Sequence, residues 1–203
     1  MKTPTQCIDV LKSSFQFVFA RPGSYGEIAY AAGVGQLETN CGEGWGTGDD
    51  IEFVNGVRIN QTGSFNWGAV TGAYNGQYFE HKDSRPDGKG GTIWYVTKFR
   101  AYPTDAEGCA DFLRILYCET HNNTPRENVR KAADECRFRD ASAVLRASGY
   151  YSGVANVNGP DGKHDEAASI DARIDAHYHA VVNSLPGGHG RFSAIPRDYF
   201  GNV

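Results

Sequence analysis

No apolar run in the chain approaches the roughly 20 residues of a membrane-spanning helix, and Asp9 and Lys12 interrupt the only place a secretory signal core would lie. The sequence therefore predicts no membrane partner and no targeting segment. An excess of positive charge is missing too: the net charge is −4 and the pI about 5.8, which excludes a basic surface of the kind that binds nucleic acid. Binding must come from a shaped groove. Metal motifs are equally scarce. The five cysteines, Cys7, Cys41, Cys109, Cys118 and Cys136, include no C-x-x-C pair and read as buried thiols. His177 and His179, with Asp175 nearby, diverge around a helix. Residues 156–162 are rich in Asp, Asn and Gly but lack the spacing and closing glutamate of a calcium loop, so they read as a turn. No metal and no cofactor are expected.

What is present begins with one carboxylate. Residues 24–41 read as a helix: Ser24 and Glu27 form a capping box, Ile28, Ala31, Val34 and Leu37 give a 3–4 apolar spacing, and Gly42 stops it. Glu38 falls inside that stripe, over Val34, Gly35 and Ala31. A glutamate there is either tied to a partner, an amide or an arginine, or is partly desolvated with its proton favoured. The second state is what a general acid working near neutral pH requires. Directly after it, Thr39-Asn40-Cys41-Gly42-Glu43-Gly44-Trp45 is a polar, glycine-rich turn with one large aromatic, a composition suited to the edge of a substrate cleft.

From about residue 45 to 102 the chain changes character, with glycines, aromatics and polar residues and no sustained helical period. Residues 51–59 place Asn55-Gly56 between two alternating runs, a signal for a two-residue hairpin. Two further strands are predicted at 78–82 and 92–102, joined by a turn-rich loop over 83–91, which puts Glu80 and Asp83 at or near a hairpin tip. Helices account for the rest: one opened by Thr3, Pro4 and Gln6 and running to the Arg21-Pro22-Gly23 break, one opened by Thr104 and Glu107, one by Thr124-Pro125 with Glu127 and reaching Cys136, a short one over 138–148, and a last one over about 164–185. The predicted fold is α+β, mainly α: a helical lobe with an inserted β-hairpin-rich lobe. At 203 residues this is one domain, spanning 1–185, with an irregular tail over 186–203.

Several short motifs then occur in one order: Gln36-Leu37-Glu38-Thr39-Asn40 with Gly42 and Trp45, Asn66-Trp67-Gly68-Ala69-Val70, Phe99-Arg100-Ala101-Tyr102-Pro103-Thr104 with Gly108, and Gly149-Tyr150-Tyr151-Ser152-Gly153. That order resembles the glucosaminidase-type peptidoglycan hydrolases, a lysozyme-like family of bacterial autolysins and phage lysins, over roughly residues 15–185. The sequence departs from the family pattern in a longer loop over 47–61, and in Cys41, where the family has a tyrosine, a tryptophan or a small residue.

The resemblance implies a lysozyme-like helical lobe and a glycosidase that cuts the glycan strand of peptidoglycan, at the β-1,4 bond between N-acetylglucosamine and N-acetylmuramic acid. Glu38 would be the general acid and Tyr102 the groove tyrosine near the catalytic centre. Trp45, Asn66 and Trp67 would contact the sugar, Asn66 and Trp67 from the groove wall. An oxocarbenium-like transition state calls for a second carboxylate or a positioned water on the opposite face, and Glu80 and Asp83 are the candidates; a solvated hairpin is the plain alternative for both, as core packing is for Tyr102 and a turn for Asn66. Two other classes stay open: a cysteine-dependent amidase or peptidase, and a non-catalytic structural or wall-binding component of a phage tail or secretion apparatus. The partners implied are glycan strands, and virion or secretion-apparatus proteins under the last reading. Without a targeting segment, the protein is expected to be made in the cytoplasm and to reach the wall by lysis, by dedicated secretion or within a virion.

Overall fold

A computed structural model describes residues 2–43 and 64–150. Among these residues the order is α1 (Pro4–Phe19), α2 (Tyr25–Thr39), β1 (Tyr78–Pro86), β2 (Thr92–Arg100), α3 (Asp105–Tyr117), β3 (Thr120–His121), β4 (Thr124–Pro125), α4 (Glu127–Asp134) and α5 (Phe138–Ala147). The mixture of helices with two small antiparallel sheets is α+β. The hairpin predicted over 51–59, the helix over 164–185 and the tail over 186–203 lie outside the described residues.

Both N-terminal capping boxes form. Thr3 accepts from the Gln6 amide while Gln6 reaches back to the Thr3 amide, and Ser24 and Glu27 do the same for α2. Each box satisfies donors that a helix start leaves orphaned. The apolar stripe read into α2 is, however, more than a stripe, because every residue from Gly26 to Gly35 is buried. The cause is residue size. Gly26, Ala29, Ala31, Ala32, Gly33 and Gly35 let neighbours approach from all sides. A Cβ on Gly26 would lie 1.9 Å from the Ala133 carbonyl oxygen, and one on Gly35 would lie 3.0 Å from the Trp67 ring. Thus α2 is the central rod of the domain, with α1 and α4 packed on it, α3 against α1 and α4, and α5 against α4.

In the β1–β2 hairpin the register runs from Tyr78 opposite Arg100 to Pro86 opposite Thr92. The strands therefore extend past the predicted break at Asp83, and the turn occupies residues 87–91, where the Asp87 carboxylate accepts from the amides of Lys89 at 2.7 Å and Gly91 at 2.8 Å. Asp87 closes an Asx-type turn with Gly88 and Gly90 at positive φ. A small second core of Phe79, Phe99 and Ala101, with Ala69 against it, fixes the base of this hairpin. Thr124-Pro125, expected to open a helix, instead pairs with Thr120-His121 across Asn122 and Asn123, both left-handed at φ 48° and 58°. The side-chain tolerance of asparagine for that region makes the tight turn, and α4 starts two residues later than the sequence suggests and ends at Asp134.

Candidate functional site

Glu38 sits in the last turn of α2 and is half-buried, just past the fully buried block of that helix. Beyond it the chain reverses through three successive left-handed residues, Asn40, Cys41 and Gly42, with φ of 51°, 59° and 80°. The reversal is held closely. Asn40 and Cys41 donate their amides to Gln36 and Gly35 carbonyls at 3.1 and 2.8 Å, and the Thr39 hydroxyl accepts from the Gly42 amide at 3.0 Å. Gly42 lies against the indole of Trp67, leaving no room for a side chain, since a Cβ would come 2.9 Å from the ring.

Trp67 is thus a clamp beneath the Glu38 turn. It is fully buried, stacks on Phe112 with ring centroids 6.2 Å apart, and donates its indole N–H to Asp105 at 2.7 Å. Asp105 also binds the Lys2 ammonium at 2.9 Å, which in turn donates to the Cys41 carbonyl at 2.8 Å. Asn66 is fully buried as well. Its amide donates to the Val70 and Arg100 carbonyls at 2.9 and 3.0 Å and its carbonyl accepts from the Val70 amide at 2.8 Å, which ties the 66–70 loop to the end of β2. The family resemblance puts both on the groove wall. With no exposed surface, neither offers a face to a sugar; the sequence motif reports the internal brace of the site. Trp45 lies outside the described residues.

Tyr102 follows β2 and is 5% exposed. Its hydroxyl donates to Asp111 at 2.6 Å, and Arg100 donates to the same carboxylate oxygen at 2.7 Å. Burial, then the bond to Asp111, pushes the phenol far above its ordinary value, so it stays neutral. Tyr74 packs on its ring at 4.7 Å between centroids.

Tyr150 is the residue that the helix pattern did not single out, although the Gly149-Tyr150-Tyr151 motif contains it. It is half-buried, donates its hydroxyl to the Gly68 carbonyl at 3.1 Å, and carries the Arg126 guanidinium 5.1 Å from its ring centre. Burial first, and the nearby Glu38 charge second, push its phenol well above the usual range, and Tyr102 acts on it in the same sense. Tyr150 is thus within electrostatic reach of Glu38 and of Tyr102.

Glu80 lies on β1 directly opposite Lys98, with an ion pair at 3.9 Å, and both side chains are about half exposed. Asp83 lies within the strand opposite Tyr95 rather than at the tip. Glu80 and Asp83 fall at positions of opposite parity along β1. An apolar pocket of about 420 Å³ opens elsewhere, between α1 and α3, lined by Ser14, Phe17, Tyr74, Ala110 and Arg114 among others, and Glu38 is not part of it. Among the described residues no three His, Cys, Asp or Glu side chains are grouped to hold a metal ion, and no helix is long and apolar enough to cross a membrane.

No protein-family model and no curated protein sequence matches the chain. Solved structures do. The catalytic domain of the autolysin Auto from Listeria monocytogenes superposes with a TM-score of 0.53 at 19% identity, covering 89% of both chains. A peptidoglycan hydrolase mutant from Sphingomonas sp. A1 gives the same TM-score at 14% identity, over 89% of this chain and 99% of that one. The resemblance carried by the short motifs is thereby met at the level of architecture: the chain has the fold of the glucosaminidase-type peptidoglycan hydrolases.

Proposed function

We propose that this protein is a glycosidase that hydrolyses the glycan strand of bacterial peptidoglycan, with Glu38 as the general acid. The observation that carries the reading is the placement of Glu38: a half-buried carboxylate at the C-terminal end of a buried helix, within electrostatic reach of the neutral phenol of Tyr150, before a turn that packs on Trp67. An anion at a helix C-terminus meets the negative end of the dipole, which costs stability. Sites that break such a rule are where function is sought.

The chemistry follows from that placement. Glu38 gives its proton to the glycosidic oxygen as the bond to the anomeric carbon breaks, and positive charge builds on the ring. A carboxylate on the β1–β2 hairpin, Glu80 or Asp83, stabilises that charge or activates the attacking water. Tyr150, its hydroxyl proton donated to the Gly68 carbonyl, stays a neutral phenol within electrostatic reach of Glu38. The bond assigned is the β-1,4 link between N-acetylglucosamine and N-acetylmuramic acid. Mass spectrometry of fragments released from purified peptidoglycan tests the reading. New saccharide reducing ends are expected, whereas free peptide stems with intact glycan would replace it with an amidase.

The thiols weigh against that amidase. Cys41, the cysteine nearest Glu38 in sequence, is buried, and its hydrogen bond to Cys7 and its burial push its thiol far up, the opposite of an activated nucleophile.

Alanine at Glu80 and at Asp83 identifies the second carboxylate. The true partner is expected to lose turnover by about 10- to 100-fold. For Glu80 the melting temperature should hardly move, because a half-exposed pair at 3.9 Å contributes little. Unchanged turnover in both variants would remove the hairpin from the mechanism.

A further inference from the structure

The last turn of α2 carries no basic residue to meet the negative end of the helix dipole. The cation at this end comes from another element. Lys2, ahead of α1, donates its ammonium to the Cys41 carbonyl at 2.8 Å and to the Asp105 carboxylate at 2.9 Å. The same ammonium lies 5.2 Å from the centre of the Trp67 ring and 5.9 Å from that of Phe65. Its side chain is 13% exposed, whereas the surface lysines Lys98 and Lys131 are 53% and 57% exposed.

The backbone of Lys2 grips the same stretch. Its amide donates to the Glu43 carboxylate, so one residue holds the chain on both sides of Gly42. That stretch needs holding. Asparagine and glycine adopt the left-handed conformation readily, but Cys41, at φ 59°, does so against its Cβ. The Cys41 amide is bound to the Gly35 carbonyl at 2.8 Å, and Lys2 takes the Cys41 carbonyl, so both peptide groups flanking Cys41 are fixed.

We propose that Lys2 is a positioning residue for Glu38: its ammonium clamps the Cys41 carbonyl and so fixes the reversal that seats the last turn of α2 and the Glu38 carboxyl. The role rests on the reading of Glu38 as the general acid. Such an acid must be held to within a fraction of an ångström of its productive place. Glu38 stands three residues before Cys41, at a helix end, where a turn frays unless it is tied down. The tie joins three helices, because Lys2 leads into α1, Cys41 follows α2 and Asp105 is the first residue of α3. The Trp67 indole N–H donates to the same Asp105 oxygen at 2.7 Å. An ammonium suits this place because it satisfies a carboxylate and a carbonyl together in a site largely closed to water.

The test compares the native chain with Lys2→Met, which keeps an unbranched stem and removes the charge, and with Lys131→Met, which removes an exposed lysine paired with Glu127 on α4. Two readouts are taken well below the melting temperature: backbone amide hydrogen exchange, and turnover of soluble glycan fragments with kcat and KM separated. In Lys2→Met the amides of Asn40, Cys41 and Gly42 should exchange at least about 10-fold faster while those of α5 keep their native rates. Turnover should follow, with kcat lower by about 10- to 100-fold and KM within about 2-fold of native. Lys131→Met should match the native chain in both. Unchanged exchange at residues 40–42, or faster exchange there with kcat unchanged, would overturn the proposal. So would acceleration spread evenly over the domain, the mark of a general loss of stability. Should Lys2→Met fail to fold, Lys2→Gln, which also lacks the charge, takes its place with the same expectations. If the native chain does not cleave glycan, the reading of Glu38 fails by itself, and the exchange rates still decide whether Lys2 holds the turn.

Discussion

Replacing Glu38 with glutamine is expected to lower hydrolysis of purified peptidoglycan by about two to four orders of magnitude while the protein remains folded. Glutamine keeps the shape of the side chain and removes the transferable proton. It also cannot ionise at the C-terminal end of α2, where the helix dipole disfavours an anion by about 0.3–1 kcal/mol. The melting temperature should therefore stay level or rise slightly. That combination separates a catalytic carboxylate from a structural one, since loss of a structural glutamate lowers both readouts together. Wild-type rates in the Glu38→Gln protein would leave the glycosidase reading without its acid, and the non-catalytic wall-binding reading would take its place.

The parts of this fold that were legible in the sequence are those set by local rules. Thr3 with Gln6, and Ser24 with Glu27, announce helix starts because the hydrogen bonds that cap them are made within four residues. Thr104 marks α3 for the same reason. The hairpin ends are hidden from local rules because Asp83 and Ser84 look like turn residues, whereas pairing with Tyr95 and Trp94 across the ladder keeps both in the strand. Register is a non-local property. The same holds for Trp67 and Asn66: their motif was visible, but whether an aromatic faces a groove or a core depends on what packs over it, here Phe112, Gly35 and Gly42. Tyr150 comes within electrostatic reach of Glu38 from a segment more than a hundred residues away in sequence, and no periodicity carries that proximity. Ile28, Ala31, Val34 and Leu37 mark one apolar stripe of α2, yet the glycines and alanines between them are what admit neighbours to the other sides.

At the other end of the same helix a second glutamate carries the largest expected effect on stability. Glu27 is fully buried. Its carboxylate accepts from Arg21 at 2.6 and 2.9 Å, from Arg130 at 3.1 Å and from the Ser24 amide at 2.8 Å, and its backbone carbonyl accepts from the Tyr117 hydroxyl at 2.7 Å. It joins the bend before α2 to α4 and α3 through one residue. Burial alone would raise its pKa, but the bonds from Arg21 and Ser24 and the charge of Arg21, with Arg130 beyond them, hold it below the ordinary carboxylate value. Glu27→Ala should cost about 3 kcal/mol, the lower end for a broken buried pair, because Arg21 and Arg130 are 41% and 23% exposed and can turn to water. For a chain of this length that is a fall in melting temperature of about 6–12 °C. The pH dependence has a definite sign. A folded pKa below the unfolded value of about 4.3 adds stability at higher pH, and that contribution disappears as pH falls through the folded value. The gap in melting temperature between wild type and Glu27→Gln should therefore be widest near neutrality and shrink below about pH 4. Ten helical residues lie between Glu27 and Glu38, a rise of about 16 Å at 1.5 Å per residue. Turnover per folded molecule should accordingly be unchanged in Glu27→Gln at temperatures where it is native. A gap that stays the same from pH 7 to pH 3 would show that the ion pairs of Glu27 are not what holds this end of the helix.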